Sequence, residues 1–515
     1  MFMKRVMVCL SLLLCVAILF PVCGYGADAK KIVLPKKDRD TLIFGAENEP
    51  SGLDMINQTT QGSITISTPL FERLIKCNDV TGTFEPLLAT EWHWVNDTTL
   101  ALTLRDDVYF HNGEKLTAED VKYTIERLKD GTATSSLYSS FDGPNSKVID
   151  ATHIEIAFKQ PCAPALALLS SPGSNVVCKS YVEKVGNDVF ARNPIGTGPF
   201  KFVRWDSGDS IYYERNDKYW GKTSEYKNLT MRIIADVGAR MIAVEAGDVD
   251  ITVTLLQSLT RRIKNGEAPG LDYYAIPSVY FFWLAMSDEF EPFRNLKVRQ
   301  AIAHAIDTEQ VVFASYGPNG ARLSSIVPEA TWGYKKAEPY EYNPELSKKL
   351  LAEAGYPNGF DVDFVTSEAT NAADAGEAVS AMLSQVGIRA QQKKFTASNW
   401  QTMVLNGTAP MSFGGMAVST GDISQGVAHL RSTAPQVTYK WHDPHVDTLL
   451  DRGIQEMNPE KRYEIYAELQ DYVLENCLDI PLLDVYFSFA CRDYIQGFVP
   501  HSRQFLDFPS ITFAK

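Results

Sequence analysis

The chain has 515 residues, 45% hydrophobic and 22% charged, a balance that suits a globular protein and excludes a disordered or collagen-like chain. At about 150 residues per domain it is long enough for roughly two to four domains. Asp and Glu number 63 against 49 Lys and Arg, for a net charge of −14. Such an acidic surface repels phosphate backbones, so nucleic-acid binding is not expected.

The first residues read as an export signal. Lys4 and Arg5 precede an apolar run from Val6 to Phe20 broken only by Ser11, then Pro21 and the small residues Gly24, Gly26 and Ala27. The run is shorter than the roughly 20 residues that cross a bilayer. The pattern predicts a signal peptide over 1–26, cleaved after Gly26, and a periplasmic mature protein. A lipid-anchored form through Cys23 is the alternative, against which Phe20-Pro21-Val22 lacks the small residue that should precede a lipidated cysteine.

Thr41 to Ala46 reads as a first strand, followed by a polar loop. Leu100, Leu102 and Leu104 alternate with Ala101, Thr103 and Arg105, which predicts a half-buried strand. Asn112-Gly113 marks a turn. Thr117 with Glu119 and Asp120 predicts a helix start, with Val121, Ile125 and Leu128 inward. Asn343-Pro344 and Gly355 bracket another helix, and Asn458-Pro459 opens a third whose buried face is expected at Tyr463, Tyr466, Leu469 and Val473. Strands and helices alternate in both halves, which predicts mixed α/β lobes joined by ordered strands, since no low-complexity linker separates them.

Beyond the signal lie Cys77, Cys162, Cys178, Cys477 and Cys491. An oxidising compartment permits pairing. Proximity in sequence pairs Cys162 with Cys178 and Cys477 with Cys491, leaving Cys77 as a buried thiol. No CxxC occurs, and neither a metal nor a cofactor is expected.

Several segments carry a resemblance. They are Pro69-Leu-Phe-Glu-Arg-Leu74, Pro86-Leu-Leu-Ala-Thr-Glu-Trp92, the block Asn96–Val108, and Phe110-His-Asn-Gly113 through Val121. In order there follow Asn193-Pro-Ile-Gly-Thr-Gly-Pro-Phe200, Tyr219-Trp220-Gly221, Glu245-Ala-Gly-Asp-Val-Asp-Ile251, the helix Asn295–Asp307, and Leu350–Gly355. Together they resemble family 5 of the bacterial extracellular solute-binding proteins, the peptide- and nickel-binding group of ABC importers. Gly196-Thr-Gly198 has no following Lys and is a tight turn rather than a phosphate loop.

The resemblance implies an α/β fold of the two-lobed periplasmic-binding-protein type (type II, cluster C), with an extra β-rich subdomain inserted in the first lobe. Mapped here, the first lobe is 41–70, 193–280 and 485–515, the insert 71–192 and the second lobe 281–484. It implies a monomer that swallows a small polar solute, a short or modified peptide or related metabolite, between the lobes. Closure then presents it to ABC permease subunits and their ATPases. Expected ligand contacts are Glu49, Asn57 and Gln61 after the first strand, Tyr138 in the insert, Trp283 on the hinge strand, and Glu368, Met416, Ser419, Asp422 and Trp441 in the second lobe.

Two departures weigh against a plain dipeptide. The position at which peptide-binding relatives carry an Asp for the α-ammonium is Ser419 here. Thr366–Ala372 holds Glu368 and no Arg for a carboxylate. Asp422 stands near Ser419 as a substitute for that Asp, although in relatives this position matches a structural Asp before Pro, where Ile423 stands here. Nickel-binding relatives place a His where Ser424 stands, and His442-Asp-Pro-His445 lies outside that segment. Other readings are a sensory or chemotaxis receptor subunit, and an oligosaccharide or nickel-chelate binder of the same fold. There is no HExxH or GxSxG, so no enzyme is expected.

Overall fold

The structure, a computed structural model, describes residues 40–515 except 59, 79–81, 339, 369, 407, 434–442, 504 and 515, and except the side chains of 61, 370, 397, 398, 401 and 405. The expected signal peptide 1–26, Cys23 and Trp441 lie outside the described residues, as does the side chain of Gln61.

A mixed sheet of eleven strands runs through the protein. At one end Thr41–Ala46 lies between two parallel neighbours, Asn228–Ile233 and Ile251–Val253, and the antiparallel strands Ser210–Arg215 and Phe200–Asp206 extend the edge. At the other end Asp361–Ser367 lies between its parallel neighbours Arg389–Phe395 and Met411–Ala417. Two long antiparallel strands, Leu271–Met286 and Asp479–Arg492, belong to both ends.

These crossing strands change register where they pass from one lobe to the other. Leu271 to Pro277 pairs with Arg492 to Tyr486, and Phe281 to Ala285 with Asp484 to Asp479, with the shift between Pro277 and Phe281. Ser278 fills the gap. Its hydroxyl donates to the Val485 carbonyl at 2.6 Å and accepts the Tyr280 N–H at 2.9 Å. Val279 donates its N–H to the Ser502 carbonyl, while its own carbonyl accepts from the Val418 N–H. The backbone groups freed by the irregular register are thus paired, as buried groups must be.

Each lobe has its own core. Leu42, Phe44, Leu229, Met231, Ile251 and Phe489 pack in the first, and Leu284, Met286, Ile302, Phe364, Val379 and Phe413 in the second. A separate four-stranded antiparallel sheet occupies Ala89–Asn96, Thr99–Leu104, His153–Ala157 and Lys147–Val148. Its core takes Leu100, Leu102 and Leu104, alternating as the sequence predicts. Burying each contributes about 1.5–3 kcal/mol.

The motifs that carry the resemblance lock one part of the chain to another. A Cβ on Gly196 would stand 2.0 Å from the Leu70 carbonyl oxygen, so only glycine allows that approach. Glu72 accepts from the Tyr219 hydroxyl and the Trp220 Nε1–H, each at 2.8 Å. Burial pushes its carboxyl up to about 7, although both donors favour the ionised form. The helix starts also follow the sequence. Thr117 and Asp120 form a capping box, and Asn343 and Asn458 cap Pro344–Glu353 and Pro459–Glu475 through their side chains. In the last helix Tyr463 is exposed, contrary to expectation. The buried stripe runs through Arg462, Ile465, Tyr466, Leu469 and Val473.

Neither expected disulfide forms, and all five cysteines are thiols. Cys477 lies in the second-lobe core and Cys491 in the first-lobe core. The extended strand Asp479–Arg492 between them keeps them about 45 Å apart at ~3.3 Å per residue, against the ~7 Å limit for a bridge. Cys162 and Cys178 share the insert's core but face different neighbours. The Cys178 thiol meets Ser180 Oγ at 3.3 Å and Asn112 Nδ2 at 3.9 Å, whereas Cys162 lies toward Ser140 and Arg462. Cys77 is half-buried rather than buried.

Candidate functional site

In open α/β sheets ligands bind beyond the carboxyl ends of parallel strands. Here Ala46 and Val253 end such strands in the first lobe, and Ser367 and Ala417 in the second. The loops that leave them carry Glu47 to Glu49, Thr254, Glu368 and Ser419.

Thr254 stands at φ 59°, a conformation a β-branched residue rarely adopts. Its hydroxyl donates to Glu47 Oε2 at 2.6 Å. Across the crossing, Tyr280 packs against the first-lobe core and Phe282 against the second, with their rings edge-to-face at 5.0 Å. Phe282 in turn lies 6.2 Å from the ring of Tyr316. Burial, and then the charge of Glu47, pushes the Tyr280 phenol up to about 12. Tyr316 is raised by burial, Tyr280 and Glu47, while a hydrogen bond with Asn371 pulls the other way. Behind Glu47 the buried Arg240 guanidinium donates through Nη1 to the carbonyls of Ile234 and Ala235 at 2.6 and 3.1 Å. The crossing is therefore walled by three aromatic rings, with a carboxylate on the first-lobe side.

Arg503 ties the lobes together. It is 1% exposed, and its Nη1 donates to the Thr420 carbonyl at 3.2 Å and weakly to that of Ser419 at 3.5 Å. Its Nη2 reaches the Cys77 carbonyl of the insert at 3.4 Å.

The residues expected from the sequence fall into distinct places. Glu49 anchors its own loop, accepting from Trp205 Nε1 at 2.8 Å and the Gly208 N–H at 3.1 Å. Asn57 accepts the Thr132 N–H at 3.0 Å, joining the first lobe to the insert. Tyr138 is a core residue 3% exposed, its hydroxyl held by Leu168 and Ser171, so it offers no face to a solute. Trp283 is also 3% exposed, because odd positions of its strand point away from Tyr280 and Phe282. It stacks on His429 at 4.3 Å. Met416 is half-buried and pairs in register with Phe281, and Glu368 is exposed. The Ser419 hydroxyl is within bonding reach of the Gln425 side chain. Asp422 is closed to ligand, since both its oxygens bind Arg462 at 2.7 Å and it caps the turn Ile423–Gly426. The sequence does not single out Glu47, Thr254, Tyr280 or Tyr316; its one pointer to this place is the polar loop after the first strand, where Glu49 is the expected contact.

Asp443 caps the helix Pro444–Gln455, and His445 is exposed, 3.8 Å from Glu468. Among the described residues no group of three His, Cys, Asp or Glu is placed to hold a metal ion, and no helix is long and apolar enough to cross a membrane.

Two lobes sharing crossing strands, with strand ends facing each other across them, define the periplasmic-binding-protein class, and solved structures agree. A dipeptide binding protein from a Pseudoalteromonas species, in complex with Met-Leu, matches with a TM-score of 0.81 at 23% identity, over 92% of this chain and 100% of that one. The periplasmic binding protein DppA from Helicobacter pylori, in complex with the peptide STSA, matches with 0.80 at 23%, over 92% and 98%. In sequence the chain is 25% identical over 478 residues to heme-binding protein A of Haemophilus influenzae, covering 86% of this chain and 87% of that one. It is 25% identical over 466 residues to the dipeptide-binding protein of Escherichia coli strain K12, covering 84% and 86%. The model of the bacterial extracellular solute-binding proteins, family 5 Middle, matches residues 83–437, and the chain belongs to that family. Proteins of this family act outside the cytoplasm as the substrate-binding components of ABC importers, and these relatives are binding proteins rather than enzymes.

Proposed function

We propose that the mature protein is a periplasmic, monomeric receptor that closes on a short or modified peptide, or a related polar metabolite, and delivers it unchanged to its permease. The observation that carries this is the meeting of strand ends from both lobes at the crossing, where rings and polar groups from each wall face one space. A ligand touching both walls binds the closed arrangement better and shifts the population toward it. A micromolar site has about 8 kcal/mol to spend on binding and ordering together. Relatives named for dipeptide and glutathione, itself a modified peptide, support the ligand class. The engagement of Asp422 by Arg462 supports a ligand other than one whose ammonium is met by that segment.

The test is to purify the protein from the periplasm, denature it and measure the masses released. Peptides or amino-acid conjugates are expected. A released sugar, haem or metal chelate as the sole ligand would overturn the reading, as would loss of the added ligand to a product on long incubation.

A further inference from the structure

Glu47 is placed unlike the other acids near the crossing. Glu49 spends one carboxylate oxygen on Trp205 and Gly208, and Asp422 is taken up by Arg462. Glu47 accepts one hydrogen bond, at Oε2 from Thr254, and among the described residues Oε1 has no partner. The donor is the residue whose backbone is held at φ 59° beyond the end of its strand, a strained conformation that persists only where the surroundings impose it. That arrangement fixes the carboxylate while leaving half of it unused. Buried Arg240, whose charge interacts with Glu47, has Nη1 committed to two backbone carbonyls, and among the described residues no ion pair joins the two. Near it stand Tyr280, packed against the same lobe's core and with no hydrogen bond to its hydroxyl among the described residues, and Tyr316 of the second lobe. A carboxylate near electron-rich rings is an environment that takes an ammonium or guanidinium group, by ion pairing and by cation–π attraction.

We infer that Glu47, backed by Thr254 and near Tyr280 and Tyr316, receives the positively charged end of the ligand, so that the solute carries a free amine or guanidine. This rests on the peptide-class reading above and assigns the ammonium to the first lobe, the second-lobe segment having Ser419 where a carboxylate would stand.

The experiment uses the full mature chain, a pool of di- to tetrapeptides, and the same pool N-acetylated. Thermal shift ranks the pools, and calorimetry measures the tightest free-amine peptide on wild type, E47Q and E47D. The free pool should stabilise the protein and the acetylated pool should not. E47Q should weaken the chosen peptide by about tenfold or more, and E47D by less. Equal binding of both pools, or an E47Q affinity matching wild type, overturns this inference while leaving the peptide reading intact. If neither pool binds, the peptide reading fails. The ligand released from the periplasmic protein then decides, and one without a protonatable nitrogen overturns the assignment of Glu47. The acetylation arm needs no variant, so a folding defect in E47Q would not hide the answer.

Discussion

Asp422 and Arg462 hold each other by two hydrogen bonds of 2.7 Å between side chains that are each 6% exposed. Trp332 covers the guanidinium at 4.3 Å. Burial alone would raise the Asp422 carboxyl, but the Arg462 charge and its hydrogen bonds outweigh it and hold the group below the usual range. Because the folded value is depressed, this stabilisation is present above about pH 4 and is lost as the pH falls further. D422A leaves a buried guanidinium uncompensated and should cost about 3–5 kcal/mol in urea unfolding. A double variant, D422L with R462M, should recover much of that. If D422A unfolds like wild type, the pair is not the anchor of this loop.

Asp484 presents the opposite case. It sits on a crossing strand opposite Phe281, 8% exposed, and among the described residues its Oδ1 has no hydrogen-bond partner. Burial, and then Glu329, pushes it up to about 8. A raised carboxyl means the native state holds its proton more tightly, so stability falls as the pH rises from about 4 through 8. D484N should melt like wild type near pH 4 and a few degrees higher at pH 8. A difference that does not grow with pH would contradict this. Glu72, pushed up to about 7, should add a similar slope that E72Q removes.

The thiols give a third expectation. Burial pushes Cys162 up to about 12 and raises Cys178, Cys477 and Cys491 as well. The native protein should therefore react with an alkylating reagent first at half-buried Cys77, and all five should react once it is unfolded. A melting temperature that drops on adding reductant would show a bridge after all.

Arg503 predicts a coupling between lobes. R503A removes donors to Thr420 and Cys77, takes from the buried Thr420 carbonyl its Arg503 hydrogen bond, and should cost about 1–3 kcal/mol. It should also open the molecule, seen as a larger radius of gyration in ligand-free solution scattering and a several-fold weaker ligand affinity. An unchanged radius and affinity would confine Arg503 to local packing.

What the sequence disclosed was mostly local. Thr117, Asn343 and Asn458 cap helices through neighbours two or three residues away, and Leu100, Leu102 and Leu104 alternate because one sheet face is buried. Tyr463 went wrong by phase, since the stripe of its helix includes Arg462, whose guanidinium is buried only because Asp422, forty positions away, meets it. Tyr138 and Trp283 are aromatic, but whether a ring faces core or solute depends on long-range packing that no spacing reveals. The cysteines failed for a related reason, since nearness in sequence says nothing once an extended strand separates two residues. Glu47 and Tyr280 lie 233 positions apart and come near enough for the charge of one to act on the other only because the sheet brings one strand end to the crossing.

The crossing strands also set a schedule for folding. Leu271–Met286 borders Met411–Ala417 on one side and Asp479–Arg492 on the other, and Ile251–Val253 takes that last strand as a neighbour too. Until residue 492 exists, both halves carry an open edge in the middle of their sheet, and neither can close its hydrogen-bond ladder. A ribosome that has made nine-tenths of the chain is still attached to a molecule whose central strand is missing. Truncation just before Asp479 would leave two half-sheets with sticky edges, and aggregation rather than a stable fragment is the expected result.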